Sequence, residues 1–312
     1  MTEFGFIDHI KGLCGSLPTN SFEGIGDDCA ILELGDDALL FTSDMLIERV
    51  HFLREATSAY DLGRKSLAVN LSDVAAMGAQ PVATLLSLSI PKELTGEWIE
   101  EFMRGYSELS AEHNVSLIGG DTTSAKVDFA VNVTAIGRCA KSNIKRRSAA
   151  KVGDVIFASG KLGGSGAGLA DILRGEYNTE LAQIHKHPTA RVVEGVWLGD
   201  KNGVNAMMDI SDGVASDLRH ILRASGVGAE VELSQIPLCE SATLQQALCS
   251  GEDYELLFTV SPDMAETLQE EYLAHFNRPI YPIGKIVAEG TDITWLHNGA
   301  PHSGEFHGFT HY

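Results

Sequence analysis

The sequence predicts a mixed α/β protein built from two units, and three observations lead there. Short apolar runs of strand type alternate with longer segments whose apolar residues recur at helical spacing. Several of the strand-like runs lead into an aspartate flanked by Gly, Ser or Thr. A basic, polar stretch, Lys141-Ser142-Asn143-Ile144-Lys145-Arg146-Arg147, divides the series, and each side of it carries a glycine-rich stretch and an Asp-bearing turn from strand to helix. The two units are then 1–140 and 141–312, and 312 residues suffice for two domains with sizeable cores.

Taken in order, 38–43 reads as a strand running into Asp44, with Asp36-Asp37 as the hairpin turn before it. Ser58 is placed to cap a helix that continues to about Met77, where Gly78 stops it. On that helix Ser66, Asn70, Asp73 and Met77 share a face by their spacing of three and four, so Asp73 projects from a helix. A strand at 81–90, a helix at 93–114 and a strand at 115–118 follow, the last entering a tight turn at Gly119-Gly120-Asp121. Residues 127–138 alternate as a strand should. After the link, a strand at 152–159 feeds the glycine-rich 160–168, and a helix of about 169–174 follows. Residues 206–210 form a strand, and Ser211 is expected to cap a helix ending at Ser225 and Gly226. Further strands are predicted at 229–233, 255–260, 281–286 and 293–296, and Ser261-Pro262 opens a helix that ends near Phe276.

Composition narrows the function. The formal net charge of −20 repels polyphosphate backbones, so no nucleic-acid partner is expected, and an anionic substrate would need local cations. The five cysteines are odd in number and form no Cys-x-x-Cys pair, which argues against a disulfide framework or a zinc site and fits a reducing cytoplasm. The first residues lack a basic region followed by an apolar stretch, and the apolar run at 83–90 is too short to span a bilayer, so neither secretion nor a membrane is expected.

The chemistry-bearing residues are aspartates in six short stretches: Gly24-Ile25-Gly26-Asp27-Asp28, Thr42-Ser43-Asp44, Asn70-Leu71-Ser72-Asp73, Gly119-Gly120-Asp121-Thr122-Thr123, Met208-Asp209-Ile210-Ser211-Asp212-Gly213 and Ser250-Gly251-Glu252-Asp253-Tyr254. Carboxylates beside apolar runs are costly unless a cation pairs with them, and few Arg or Lys lie near in sequence. Mg²⁺ takes carboxylate oxygens and bridges to phosphates, so a metal-dependent, phosphate-handling enzyme is the leading reading. Any single Asp-Gly cluster can be a simple turn. Asp209, inside an apolar run, is harder to explain that way, while Asp212 in a first helical turn would complement the helix dipole. The stretch 160–168 could cradle phosphate or allow close helix packing. It is neither a Walker A loop nor a Gly-x-Gly-x-x-Gly motif. His51 reads as a half-buried strand histidine or a substrate contact, and His185-x-His187 as a surface loop. Arg146-Arg147 is a reasonable phosphate contact in so acidic a chain.

Read together, Gly-Ile-Gly-Asp-Asp-Cys-Ala at 24–30, Thr-Ser-Asp at 42–44, His51-Phe52, Leu-Ala-Val-Asn-Leu-Ser-Asp-Val-Ala-Ala-Met-Gly-Ala at 67–79, Gly-Gly-Asp-Thr-Thr at 119–123, Asp-Ile-Ser-Asp-Gly at 209–213 and Gly-Glu-Asp-Tyr-Glu-Leu at 251–256 resemble the thiamine-monophosphate kinases over nearly the whole chain. The wider superfamily includes aminoimidazole ribonucleotide synthetase, selenophosphate synthetase and a hydrogenase maturation factor. The resemblance implies an N-terminal α/β domain that binds ATP and Mg²⁺ and pairs in a homodimer. It also implies a C-terminal α/β domain that closes over ATP and substrate, and no P-loop. It further implies ATP-dependent phosphorylation of thiamine monophosphate to thiamine diphosphate, assisted by several Mg²⁺ ions. Asp28, Thr42, Ser43, Asp44, Asp73, Asp121, Asp209 and Asp212 would be the metal ligands. Gly120, Arg147 and Ser211 would contact ATP, and His51, Glu252 and Phe309 would contact thiamine monophosphate. Phe309 stands where relatives can carry Tyr or Trp, which keeps ring stacking but removes a hydroxyl contact. The acceptor is a phosphate already ionised near neutral pH, so no general base is required, and positioning with charge neutralisation carries the reaction. Another ATP-dependent reaction of the superfamily and a non-catalytic Mg²⁺–nucleotide module are the competing readings. Retention of every acidic motif argues against the second.

Overall fold

The computed structural model describes residues 3–14, 21–94 and 96–309. Helix α1 (Glu3–Cys14) precedes a first sheet of six strands: β1 (Phe22–Glu23), β2 (Ala30–Leu34), β3 (Asp37–Ile47), β4 (Gln80–Pro91), β5 (Ser116–Ala125) and β6 (Ala130–Ala140). Their order is β1-β2-β3-β6-β4-β5, antiparallel except for the β4–β5 pair. The hairpin at Asp36 forms as expected, with Gly35 at φ +67° supplying the left-handed turn residue. Helices α2 (Ala59–Ala76) and α3 (Gly96–Glu112) cover one face of this sheet through Leu62, Leu67, Phe102 and Tyr106, packed on Phe129, Val131 and Val133. The other face, with Met45 and Leu85, is open.

The second sheet has β7 (Val155–Ala158), β8 (Val204–Asp209), β9 (Gly228–Glu232), β10 (Leu256–Val260), β11 (Tyr281–Val287), β12 (Ile293–His297) and β13 (Ala300–Pro301), in the order β13-β12-β9-β11-β7-β10-β8. Strand alternation sends Ile156, Met208 and Leu257 into a core with α7 (Val214–Ser225) and α8 (Leu244–Cys249). It sends Phe157, Met207 and Phe258 into another with α6 (Val192–Gly199) and α9 (Ala265–Phe276). Helices α4 (Gly164–Leu173) and α5 (Glu180–Lys186) complete this half.

Helix α2 joins the halves. Ser58 caps it as predicted, its Oγ accepting the Asp61 N–H at 3.1 Å. Of its 18 residues 14 are buried, which requires cover on more than one side. The first sheet covers one side, while Ala76 packs with Leu198 and Met207 of the second half. Burial of Leu62, Leu67 and Leu71 contributes about 2 kcal/mol each relative to exposure.

Several boundaries differ from those predicted. β3 and β5 run through Asp44 and Asp121 instead of stopping at them. Gly119-Gly120 is therefore strand, not turn: Gly120 lies so close to β4 that a Cβ there would collide with the Leu86 carbonyl. The glycine-rich 160–168 turns helical from Gly164, earlier than expected, because its glycines seat α4 against its neighbours. A Cβ on Gly168 would strike the Leu181 carbonyl of α5. Ser211 does not cap α7. Gly213 at φ +96° separates it from the helix, and Asp217 reaches back from inside α7 to accept the Asp212 N–H at 3.2 Å. Asp212 thus precedes the helix instead of lying in its first turn.

Among the described residues no helix is long and apolar enough to cross a membrane. All five cysteines are free thiols.

Candidate active site

The carboxylates converge where α2 meets β3, β8 and the link. Alternation along β3 turns Thr42 and Asp44 toward α2, where the Thr42 hydroxyl donates to Asp73 Oδ2 at 2.5 Å and Asn70 Oδ1 accepts the Asp44 N–H at 2.9 Å. From the other side, the C-terminal residue of β8, Asp209, accepts the Ser72 hydroxyl at 2.5 Å. Asp28 comes from the loop before β2. Oxygens of Asp28, Asp73 and Asp209 all lie within 4.8 Å of one another. Arg147 of the link pairs with Asp28, and its backbone N–H donates to Asp27 Oδ1 at 2.7 Å. The Arg146-Arg147 pair is therefore internally engaged, since Arg146 pairs with Glu23 at 2.8 Å.

One guanidinium does not balance this much negative charge. Burial, together with Asp28, pushes Asp44 up to about 6 and Asp209 up to about 8. Burial and the Asp44 charge push Asp73 well above the ordinary carboxylate range. Asp28 Oδ2 and Asp209 Oδ1 are buried without a hydrogen-bond partner. An all-oxygen set with two orphaned carboxylate oxygens has the donor chemistry of a hard divalent cation, and Mg²⁺ fits it.

A cavity of about 380 Å³ opens beside the cluster; its lining includes Asp44, Asp73 and Asp212 together with His51, Glu252 and Phe309. His51 lies in the turn after β3, not in a strand. Its Nδ1 accepts the Ile47 N–H at 3.0 Å, which puts the proton of the neutral ring on Nε2. Phe309 is held by its N–H to the Asp212 carbonyl at 3.0 Å and is 46% exposed on the cavity wall.

The segment 251–255 ties this part of the lining together. Gly251, Glu252 and Tyr254 all have left-handed φ, at +69°, +56° and +50°. Such strain persists where the surroundings fix it. Here the Glu252 and Tyr254 N–H groups donate to Ser211 and Ile210 carbonyls at 2.8 and 2.9 Å. Asp253 accepts the Gly163 and Ser165 N–H groups at 2.7 and 3.2 Å, at the start of α4. The helix N-terminus in the glycine-rich stretch, one candidate phosphate cradle, is thus filled by the protein's own carboxylate.

Two predicted ligands and one predicted ATP contact stand apart. Cross-strand register puts Met45, Asn132, Ser87 and Asp121 in one row, roughly 14 Å from β3 to β5 at three strand spacings. Asp121 is therefore on the open face with Ser43, whose hydroxyl lies 3.1 Å from Thr134 Oγ1. Both face away from Asp44 and Asp73. Gly120 is on the exposed edge strand β5.

The family models of the AIR synthase related protein match this chain, the N-terminal domain at residues 26–139 and the C-terminal domain at 151–296. A curated relative from Haemophilus influenzae, named thiamine-monophosphate kinase, is 40% identical, with 92% of this chain and 91% of the relative covered. The chain belongs to the thiamine-monophosphate kinase family. The relative of that name from Escherichia coli K12 is 35% identical, with 93% and 91% covered. The solved structure described as AaThiL complexed with AMPPCP and TMP superposes with a TM-score of 0.85 at 32% identity, covering 100% of this chain and 97% of that one.

Within this thiamine-monophosphate kinase fold, sequence reasoning missed Lys65, His185, Ser72 and Asp217. The pattern His185-x-His187 followed by Pro188 points to a surface loop, which is not what forms. His185 lies in α5 and is buried, with Nδ1 2.9 Å from Ser165 Oγ and 3.3 Å from Glu252 Oε2. Burial and the nearby Lys65 charge push it down to about 4, so it is neutral at pH 7. Lys65 is 1% exposed and its Nζ donates to Glu252 Oε2 at 3.0 Å. A helix position with so little room for a cation was the available signal, since a fully buried lysine requires a carboxylate somewhere else in the chain.

Proposed function

We infer that this protein transfers the γ-phosphoryl group of ATP to thiamine monophosphate, giving thiamine diphosphate by direct in-line displacement. The observation that carries the reading is one cavity, beside the carboxylate cluster, whose lining combines Asp44, Asp73 and Asp212 with a histidine, a carboxylate and an aromatic ring at His51, Glu252 and Phe309. Asp28, Asp44, Asp73 and Asp209, with Thr42, would hold Mg²⁺ ions, and Asp212 would reach a further ion from the cavity wall. Held by these residues, Mg²⁺ would supply neutralisation of phosphate charge. Arg147 and Ser211 would contact ATP, with Arg147 exchanging its Asp28 partner for phosphate, and Gly120 would contact it from β5. His51 would donate from Nε2, Glu252 would accept, and Phe309 would stack on the thiamine rings. No residue needs to remove a proton, because the attacking oxygen is already anionic.

Ser43 and Asp121 reach a metal in this reading only through assembly. A twofold homodimer that covers the open face of the first sheet would bury both at its interface, together with Met45 and Leu85. The domain carrying that sheet, 1–140, would bind ATP and metal and form the dimer. The domain 141–312 would close over both substrates. The enzyme would work in the cytoplasm, consistent with its free thiols.

The test is ADP formation with and without thiamine monophosphate, in Mg²⁺ and after chelation. Turnover that needs both the acceptor and the metal is expected. ADP formation indifferent to thiamine monophosphate, or full activity in excess EDTA, overturns the reading. Light scattering on the same sample should report a dimer.

A further inference from the structure

The contact between Lys65 and Glu252 crosses the seam between the two halves of the molecule. Lys65 is on α2, whereas Glu252 follows α8 and His185 is on α5. The backbone of Glu252 is fixed independently by its left-handed φ and its N–H bond to the Ser211 carbonyl. What that backbone leaves open is the direction of the carboxylate. Both short contacts to it, from Lys65 Nζ at 3.0 Å and from His185 Nδ1 at 3.3 Å, meet the same oxygen, Oε2. Glu252 lines the cavity and its side chain keeps 23% exposure, while Lys65 keeps 1%. The second oxygen is therefore the one presented to a bound molecule.

We propose that Lys65, assisted by His185, is a positioning residue for the substrate. It fixes Glu252 by Oε2 and matches its charge, so that Oε1 meets the substrate as an oriented hydrogen-bond acceptor and not as an unpaired anion. This rests on the reading of thiamine monophosphate as the acceptor. The aminopyrimidine carries an exocyclic amino group, a neutral donor suited to such an acceptor. A site already balanced by a buried ammonium gains less from the thiazolium charge. Two further facts agree. Burial alone would push the Glu252 carboxyl up, and the Lys65 charge reverses this and holds it below its ordinary value. Lys65 also belongs to a row of seam contacts along α2 with Asp61, 3.0 Å from His187, and Ser72, bonded to Asp209, so Glu252 and the carboxylate cluster are referenced to one helix.

The experiment is Lys65→Met, which keeps side-chain length and removes the charge. KM for thiamine monophosphate should rise tenfold or more, with KM for ATP within twofold of wild type and the Mg²⁺ requirement unchanged. Calorimetric binding of thiamine monophosphate without ATP should weaken by the same factor, a readout that does not depend on turnover. Thiamine monophosphate with its amino group replaced by oxygen should bind wild type at least tenfold more weakly and distinguish little between wild type and Lys65→Met. The double variant Lys65→Met/Glu252→Gln should bind more tightly than the product of the single effects allows, because each single change strands one buried charge. His185→Gln, a milder change, should raise KM severalfold in the same direction, and it serves if Lys65→Met does not fold. Unchanged thiamine monophosphate binding in folded Lys65 or His185 variants overturns the proposal, as does a parallel loss for both substrates. A wild-type enzyme that binds thiamine monophosphate without phosphorylating it counts against the proposed function, and the binding comparison still decides the role of Lys65.

Discussion

The clustered carboxylates make a prediction about stability that needs no substrate. The perturbation is a change of pH with and without Mg²⁺. Asp209 titrates at about 8 in the folded chain against an ordinary 3.8, so the metal-free fold holds a proton that the unfolded chain has released. A group raised on folding stabilises at low pH, and that stabilisation is lost as pH rises toward the folded value. His185 and His220, both pushed down to about 4 mainly by burial, act in the opposite sense below their ordinary 6.5 and cease to matter above it. The informative window is therefore about pH 6.5 to 8, where one extra bound proton is worth about 1.4 kcal/mol per pH unit, or about 2 kcal/mol in all. Asp73 and Asp217, also raised by burial, act in the same direction. For a chain of this size the loss corresponds to roughly 4 °C in Tm. Thermal unfolding in EDTA should show Tm falling across this window. Saturating Mg²⁺ should both raise Tm and flatten the slope, because a cation replaces the proton as counter-charge. Equal slopes with and without Mg²⁺, or a Tm that rises with pH in EDTA, would refute the argument that these oxygens form one cation site.

Three substitutions extend the test. Asp209→Asn removes a repelled charge at nearly constant volume, so metal-free stability at pH 8 should rise by about 1–2 kcal/mol while turnover falls roughly 100-fold, the scale of losing one charge-stabilising group. Denaturant unfolding and steady-state rates read the two effects separately. Arg147→Ala strands the Asp28 carboxylate and should destabilise the metal-free protein by about 3 kcal/mol; Mg²⁺ should restore part of that loss, and KM for ATP should rise more than KM for thiamine monophosphate. Gly168→Ala forces a methyl group against the Leu181 carbonyl and should cost about 1–3 kcal/mol in unfolding free energy, with a lower Tm and little change in KM for ATP.

The features legible in the sequence were those set by local pattern. The Ser58 cap, the helix carrying Asp73 and a strand leading to Asp44 all follow from spacing and short-range chemistry, and the structure has each of them, the strand running on past Asp44. The features that were not legible depend on partners far along the chain. Lys65 meets Glu252 across 187 positions, and Ser72 meets Asp209 across 137. Ser211 looked like a cap because its type and position suit one, yet a glycine with positive φ intervenes and Asp217 supplies the acceptor from within the helix. Asp121 has the composition of a ligand, but only cross-strand register shows which face of the sheet it occupies. The glycines at 160–168 suggested a phosphate because nothing nearby in sequence revealed that Asp253 already fills the helix start.

The burial of α2 on both sides has a consequence for how the chain is made. During synthesis the first sheet and α2 emerge long before residues 192–209, which supply α6 and β8 for the second side of that helix. Until then Ala75, Ala76 and Ser72 remain wet on a helix whose other side is already packed. The N-terminal half should therefore wait on the ribosome as an incompletely covered, sticky intermediate, and its release in truncated form should favour aggregation or chaperone capture over independent folding.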